Sequence, residues 1–348
     1  VPPPNRSRHS PVRRSALAAG AAVALLLSGC GAEPRRRPGP VPGSAAGSPA
    51  AAPPPVFHVA PGNPAAAEAD RREALGRTAD AAALRRIGAR PSAKWLTGGP
   101  AVRDEVDAFL GQAALAGQTP VLVVHNIPDR DCARQGTGGA SGPAEYQRWI
   151  RDLAAGVGGR PVTVVLEPGA VPDAVRGCVR DPDGRLTLLR DAVTVLRSTG
   201  SARVYVDAGH PGWISDVAAL TAALDRAGVG EADGFALNVA NFFGTAQNVR
   251  YGHRISDALG GGTRFVVDTS RNGNGPHAGA TVDGAPSWCN PPGRALGQEP
   301  TADPGLPRVD ALLWVKYPGE SDGACRPGEP DSGVWWPEYA LGLARRAG

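Results

Sequence analysis

The 348-residue chain is short of several things, each of which would have pointed to a different chemistry. It has six histidines, none in a His-Glu-x-x-His or similar ligand spacing, which argues against a zinc hydrolase and gives no metal site. No histidine follows His277, so Gly319-Glu-Ser-Asp-Gly323 matches the serine-hydrolase elbow without the base that must lie downstream. Cys325, Pro327 and Gly328 also forbid the helix that should follow that serine. The glycine-rich Arg271-Asn-Gly-Asn-Gly275 lacks the spacing of a phosphate cradle and reads as a flexible loop. A repeat of 20–50 residues is missing too, which disfavours solenoids and propellers.

Concentrated positive charge is absent from most of the chain. The formal charge of +4 resides at one end: residues 1–40 hold seven arginines against Glu33, leaving 30 basic and 32 acidic side chains from residue 41 onward, a net of −2. That balance argues against nucleic acid as a partner, because phosphate binding needs a concentrated basic surface.

The amino end instead reads as a lipoprotein-type signal over residues 1–30. Arg6, Arg8, Arg13 and Arg14 precede a twelve-residue apolar run, Ala16 to Leu27, too short to span a bilayer as a mature helix. The run ends in Leu27-Ser28-Gly29-Cys30, which resembles a bacterial lipobox and implies a lipid on Cys30, hence a protein anchored to the outer face of the cell membrane, or otherwise secreted. Residues 31–55, an Ala/Gly/Pro/Ser stretch with Arg35 to Arg37, cannot bury a core and read as a tether whose basic cluster suits an anionic lipid surface. Of the five cysteines, setting Cys30 aside leaves Cys132, Cys178, Cys289 and Cys325, an even set suited to an oxidising compartment. Three pairings are open; loop proximity favours Cys132 with Cys178 and Cys289 with Cys325.

From residue 56 to 348 helix-like and strand-like segments alternate, with 42% apolar content overall. Helical patterning covers Pro64 to Ile87, Val102 to Ala116, Ala144 to Val157, Gly184 to Arg197, Asp216 to Ala227 and Val249 to Leu259. Short apolar runs at Ala93 to Leu96, Val121 to Val124, Val162 to Leu166, Val204 to Val206, Gly234 to Leu237, Phe265 to Val267 and Leu312 to Val315 predict about seven parallel strands with right-handed crossovers. The fold class is therefore α/β.

Chemistry-bearing residues follow those runs in turn: Asp129, Arg130 and Asp131; Glu167; Asp207 and His210; Asn238 and Asn241; Asp268 and Arg271; and finally Lys316, Glu320 and Asp322. Parallel strands bring their carboxyl ends to one face, so this series predicts a polar crater over a barrel. Trp95, Trp213, Trp288 and Trp314 lie at or near strand ends; Trp314 reads as core, and the other indoles could stack on the apolar faces of sugar rings. Paired carboxylates with exposed indoles suggest glycoside hydrolysis.

Five segments make a resemblance specific: Val123-Val-His-Asn-Ile-Pro-Asp-Arg-Asp-Cys132, Tyr205-Val-Asp-Ala-Gly-His-Pro-Gly-Trp213, Asn238-Val-Ala-Asn-Phe242, Trp288-Cys-Asn290 and Trp314-Val-Lys-Tyr-Pro-Gly-Glu-Ser-Asp-Gly323. From about Trp95 to the carboxyl terminus the chain resembles glycoside hydrolase family 6, the secreted endoglucanases and cellobiohydrolases that cut β-1,4-glucan. The resemblance implies a distorted, incomplete parallel (β/α) barrel, an inverting mechanism without cofactor, a monomer, β-1,4-glucan or cello-oligosaccharide as partner, and the two local disulfides. It implies that Asp131 tunes the acid, that Asp322 is the base, that Lys316 and Glu320 bind sugar hydroxyls, and that Trp95, Trp213 and Trp288 are subsite platforms. Asp207, His210, Asn238 and Asn241 join them as candidate substrate ligands. The short loop after Asp322 implies an open cleft and internal cleavage.

Two positions depart from the family. Its general acid is the aspartate of a Glu-Pro-Asp motif ending the third strand, where this chain reads Glu167-Pro-Gly169, and its tyrosine beside the cleavage-site sugar is here His125. Losing a general acid costs about 100- to 10,000-fold in rate. Asp173, Asp131 and His125 are the candidate replacements; for Asp173, one turn up a helix from position 169, the expected displacement is roughly 5–6 Å. Without such a replacement the chain is a glucan-binding, lectin-like protein that keeps the cleft.

Overall fold

The computed structural model describes residues 54–133 and 138–348, all within the compact unit Ala52–Gly348. The predicted signal, Cys30 and almost all of the tether lie outside the described residues.

Seven parallel strands form one curled sheet in the order β1-β2-β3-β4-β5-β6-β9: β1 (Lys94–Leu96), β2 (Val121–Val124), β3 (Val162–Leu166), β4 (Ala202–Asp207), β5 (Gly234–Leu237), β6 (Arg264–Asp268) and β9 (Val309–Leu313). A two-stranded antiparallel hairpin, β7 (Thr281–Val282) with β8 (Ala285–Pro286), is inserted before the last strand, outside the seven apolar runs of the sequence. Chain order equals spatial order through the main sheet, as successive crossover helices require. The strands β1 and β9 are edges, yet Ala93 N donates to Trp314 O at 3.0 Å and the Trp95 indole donates to Val315 O at 2.8 Å. The barrel is thus drawn nearly closed at its seam without a strand ladder there.

The pleat sorts the core into layers. Val121, Val123, Val165, Tyr205, Ala236, Val266, Ala311 and Leu313 point into the barrel, while Leu122, Val124, Val164, Leu166, Val204, Val206, Leu237 and Val267 face the crossover helices. Those helices are α3 (Val102–Leu115), α4 (Pro143–Val157), α5 (Ala170–Val175), α6 (Pro182–Arg197), α7 (Val217–Arg226) and α8 (Thr245–Ala258). Strands buried on both faces explain why the runs read as continuous rather than alternating.

Local chemistry sets the helix starts. Asp181 accepts from Gly184 N at 2.9 Å with Pro182 at the first helical position, and Asp216 accepts from Ala219 N at 3.0 Å. The predicted helix over Pro64 to Ile87 is two helices, α1 (Pro64–Ala74) and α2 (Thr78–Gly88), because Gly76 turns the chain at φ +73° between them. With α9 (Pro337–Arg346) they bury Trp314, Tyr317 and Leu296 in a separate cluster, so Trp314 is core as read. No described helix is long and apolar enough to cross a membrane.

Both local disulfides form. Cys132–Cys178 ties the 3₁₀ turn Arg130–Ala133 to the end of α5, and Cys289–Cys325 clasps the loops after β8 and β9. The second closes a sequence separation of 36 residues, so the pair Cys289→Ser and Cys325→Ser should lower unfolding free energy by about 2–4 kcal/mol in urea titration.

Candidate active site

The carboxyl ends of the strands are organised by buried acids that hold backbone, not solvent. Asp268, 1% exposed, accepts from Ser270 N (2.9 Å) and Val315 N (3.2 Å) through Oδ1, and from Ala240 N (2.9 Å) and Lys316 N (3.1 Å) through Oδ2. One side chain thereby fixes the ends of β5, β6 and β9. Glu167, fully buried, does the same for the β2 end, accepting from Asn126 N and Ile127 N at 3.0–3.1 Å. Several non-glycine residues here sit at positive φ, among them Asp129, Glu167, Asn238, Ala240 and Asn290. Such backbone costs on the order of 1–3 kcal/mol per residue and gathers where side chains are aimed by function.

Around the β9 end lies the Asp322 half of the site. Asp322 Oδ2 accepts from the fully buried Arg271 guanidinium at 2.8 Å and from Asn290 N at 3.0 Å, while Asp322 N donates to Asn290 Oδ1 at 2.7 Å. The adjoining Cys289–Cys325 bridge holds this reciprocal pair in place. Arg271 also lies 4.4 Å over the Phe242 ring, so its charge is both paired and packed. Lys316 Nζ donates to Ser321 O at 3.1 Å, stands 3.7 Å from Glu320 and sits 6.0 Å from the Trp95 ring. Burial pushes the Lys316 ammonium down and the Glu320 carboxyl up, each opposed by the other's charge. Trp95 meets His125 edge-on at 5.5 Å, and His125 Nδ1 is 3.8 Å from Glu167. Trp95 of β1, His125 after β2 and Lys316 and Glu320 after β9 thus meet in one cluster.

The Gly169 half is different. Gly169 caps α5 at φ +83° and ψ −17°, in the left-handed region, and its N–H donates to Asp207 Oδ2 at 2.8 Å. A Cβ built at this position would lie 3.4 Å from Trp213 Cη2 and 3.7 Å from Asp173 Oδ2, ordinary contact distances. Space for a side chain therefore exists, whereas the backbone conformation favours glycine. The roughly 5–6 Å displacement expected of Asp173 counts only the rise along the helix; the first turn of α5 carries the Asp173 carboxylate back to within 3.7 Å of the Cβ position. Its carboxylate also lies within 4.8 Å of both sulfurs of Cys132–Cys178. The backbone of Asp131 lies in the adjoining 3₁₀ turn; its side chain is outside the described residues.

Two of the expected sugar ligands, Asp207 and Asn238, are buried away from the cleft, while Asn241 is only partly buried. Asp207 is 1% exposed and receives Gly169 N and Gly209 N, so it is a buried post of the β4 end. Asn238 is fully buried between Asp268 O (2.8 Å) and Phe243 N (3.1 Å). Asn241 spends its amide on His210 Nε2 (3.0 Å) and Phe242 N (2.8 Å). His210 stacks on Phe243 at 4.7 Å and borders Trp213 at 5.6 Å, and burial lowers its pKa to about 4, so the imidazole is neutral near neutral pH. Trp288 stands 46% exposed beside Cys289, available to a flat ligand face. A second concavity, at the amino-terminal ends of the strands, holds Arg203, Arg264 and Asp310, whose charges are spent on one another.

The chain is thus an incomplete parallel barrel with carboxylates and partly exposed indoles at one end. The sequence profile of the glycosyl hydrolases family 6 matches residues 55–347, and the chain belongs to that family. Endoglucanase A of Cellulomonas fimi is 45% identical over 271 residues, covering 77% of this chain and 57% of that protein. Endoglucanase A of Thermobispora bispora is 40% identical over 271 residues, covering 75% of this chain and 56% of that protein, so the chain spans little over half of these two relatives. The endoglucanase Cel6 from Mycobacterium tuberculosis, solved in complex with methyl-cellobiosyl-4-deoxy-4-thio-β-D-cellobioside, superposes with a TM-score of 0.77 at 40% identity, covering 84% of this chain and 97% of that one.

Burial raises the carboxyls of Glu167 and Asp207 to about 7, against the backbone N–H groups that favour their charge; the charges of Asp173 and Asp268 push Asp207 further up. A folded pKa above the unfolded value means the native state binds the extra proton, so stability is fully present below pH 4 and is lost as pH rises through 7. Together the two groups should make the protein more stable at pH 5 than at pH 8 by on the order of a few kcal/mol, visible as a higher Tm, and Asp207→Asn should remove about half of that difference, leaving the share of Glu167.

Proposed function

We propose that the chain is an exported β-1,4-glucan hydrolase of the inverting, internally cutting kind, working slowly because position 169 carries no acid. The observation that carries this reading is the Asp322 cluster. A carboxylate aimed by a buried arginine and a reciprocal asparagine, beside a lysine, a glutamate and an indole, suits a base with sugar-hydroxyl ligands around it. The relatives named above are endoglucanases, which supports β-1,4-glucan as the substrate class. In this reading Asp322 takes the proton of the attacking water, directly or through a second water. Lys316, Glu320 and Trp95 hold the sugar on one side of the scissile bond, and Trp213 and Trp288 offer further platforms. Asp131 tunes the proton affinity of its neighbours. The lipobox-like Leu27-Ser28-Gly29-Cys30 and the disulfides support export, with Cys30 as the lipid anchor and residues 31–55 as the tether of a domain beginning near residue 56.

A second reading is favoured by Gly169 itself: the left-handed turn at φ +83° suits a protein that binds glucan without cutting it. Reducing-sugar release from soluble β-glucan separates the two. Hydrolysis predicts release that falls at least tenfold in Asp131→Ala, whereas calorimetric binding of cellotetraose with no release identifies the lectin-like protein. Gly169→Asp should raise activity toward unactivated glucan while costing roughly 1–2 kcal/mol in stability, because an aspartate must strain or relax the turn.

A further inference from the structure

We propose that Asp173 donates the proton to the leaving glycosidic oxygen, acting through the space that the missing side chain at Gly169 leaves open. The proposal rests on the hydrolase reading above and names the residue that completes it. An aspartate at position 169 would hold its oxygens about 2.4 Å from its Cβ by covalent geometry. Asp173 Oδ2 lies 3.7 Å from that same Cβ position, so it reaches the region such an acid would fill, from one helical turn away. Three features of the chain support the arrangement. The position a Cβ would take at Gly169 is bordered by Asp173 Oδ2 and, at 3.4 Å, by the Trp213 ring edge, so no side chain of residue 169 stands between the two. Pro172 and the Cys132–Cys178 bridge fix the short helix and the turn against which the carboxylate packs, giving a rigid support to a donor that is 7% exposed. Asp207, bonded to Gly169 N, is a second acid whose Oδ1 has no hydrogen-bond partner among the described residues. Burial raises the Asp207 carboxyl to about 7 and the charge of Asp173 pushes it further up, so the two acids are electrostatically coupled.

The step balances without any further reactant. The bond between the anomeric carbon and the leaving oxygen breaks as the oxygen of water bonds to that carbon from the opposite face. The Asp173 proton passes to the leaving oxygen, which departs as a sugar hydroxyl, and the water proton passes to Asp322. Solvent then returns Asp173 to its acid form and Asp322 to its carboxylate.

The test compares an unactivated substrate, cellotetraose, with 2,4-dinitrophenyl β-cellobioside, whose leaving group departs without a proton. Asp173→Asn should lower kcat/KM on cellotetraose by about 100- to 10,000-fold and leave the aryl glycoside within about threefold. Asp173→Glu, which keeps a carboxyl group, should retain at least tenfold more cellotetraose activity than the asparagine variant. Equal losses on both substrates would assign Asp173 a structural role, and no loss on either would remove it from the reaction; both overturn the proposal. Should Asp173→Asn fail to fold, the wild-type rates on a series of aryl β-cellobiosides decide: a shallow dependence on leaving-group acidity supports a donor, and a steep one contradicts it. Wild-type turnover of the aryl glycoside without cellotetraose also overturns the proposal while leaving the hydrolase fold active. Turnover of neither, with cellotetraose still bound, instead overturns the hydrolase reading beneath it.

Discussion

The buried Asp268 carboxylate is the interaction on which the site depends. Four backbone N–H groups from three separate stretches converge on it, and they belong to the residues that carry the chemistry: Ala240 beside Asn241, Ser270 beside Arg271, and Val315 and Lys316 beside the Asp322 loop. Burial raises its pKa while those donors hold it down. A carboxylate in that position replaces solvent for strand ends that would otherwise leave orphan donors, and it does so with a fixed geometry. Lys316 reaches Glu320 and Ser321 because its own backbone is pinned there.

That arrangement divides the crater into two halves of different character. The Asp322 half is closed by ion pairs and a disulfide, and its charges are matched. The Gly169 half is acid-rich, with Asp173 and Asp207 flanking a residue that has no side chain and a backbone angle suited to having none. A glycine at this position is therefore more than a deletion: the turn, the neighbouring indole and the first turn of α5 all accommodate it.

Much of this was legible in the sequence, and the reasons for the rest are physical. The strand runs were plain because a sheet buried on both faces demands uninterrupted apolar residues. The last run was displaced, Leu312 to Val315 against Val309–Leu313, because Trp314 and Val315 are apolar for other reasons: one fills the α1, α2 and α9 cluster and the other lines the barrel beyond the ladder. Polar residues at strand ends marked the crater, but residue type alone does not tell a ligand from a post, and Asp207 and Asn238 proved to be posts. The Arg271–Asp322 pair joins residues 51 apart in sequence, a contact that only the closed barrel brings about. The helix break at Gly76 was available as a lone glycine within a helical pattern, and its left-handed angle explains it.

The central claim is that this cleft still performs inverting hydrolysis with its proton donor moved. Proton NMR of purified protein acting on cellopentaose, recorded before mutarotation equilibrates the product, tests that claim directly. The account predicts early accumulation of the α-anomer at the newly formed reducing end; initial release of the β-anomer, or bound cellopentaose that stays intact, would contradict it.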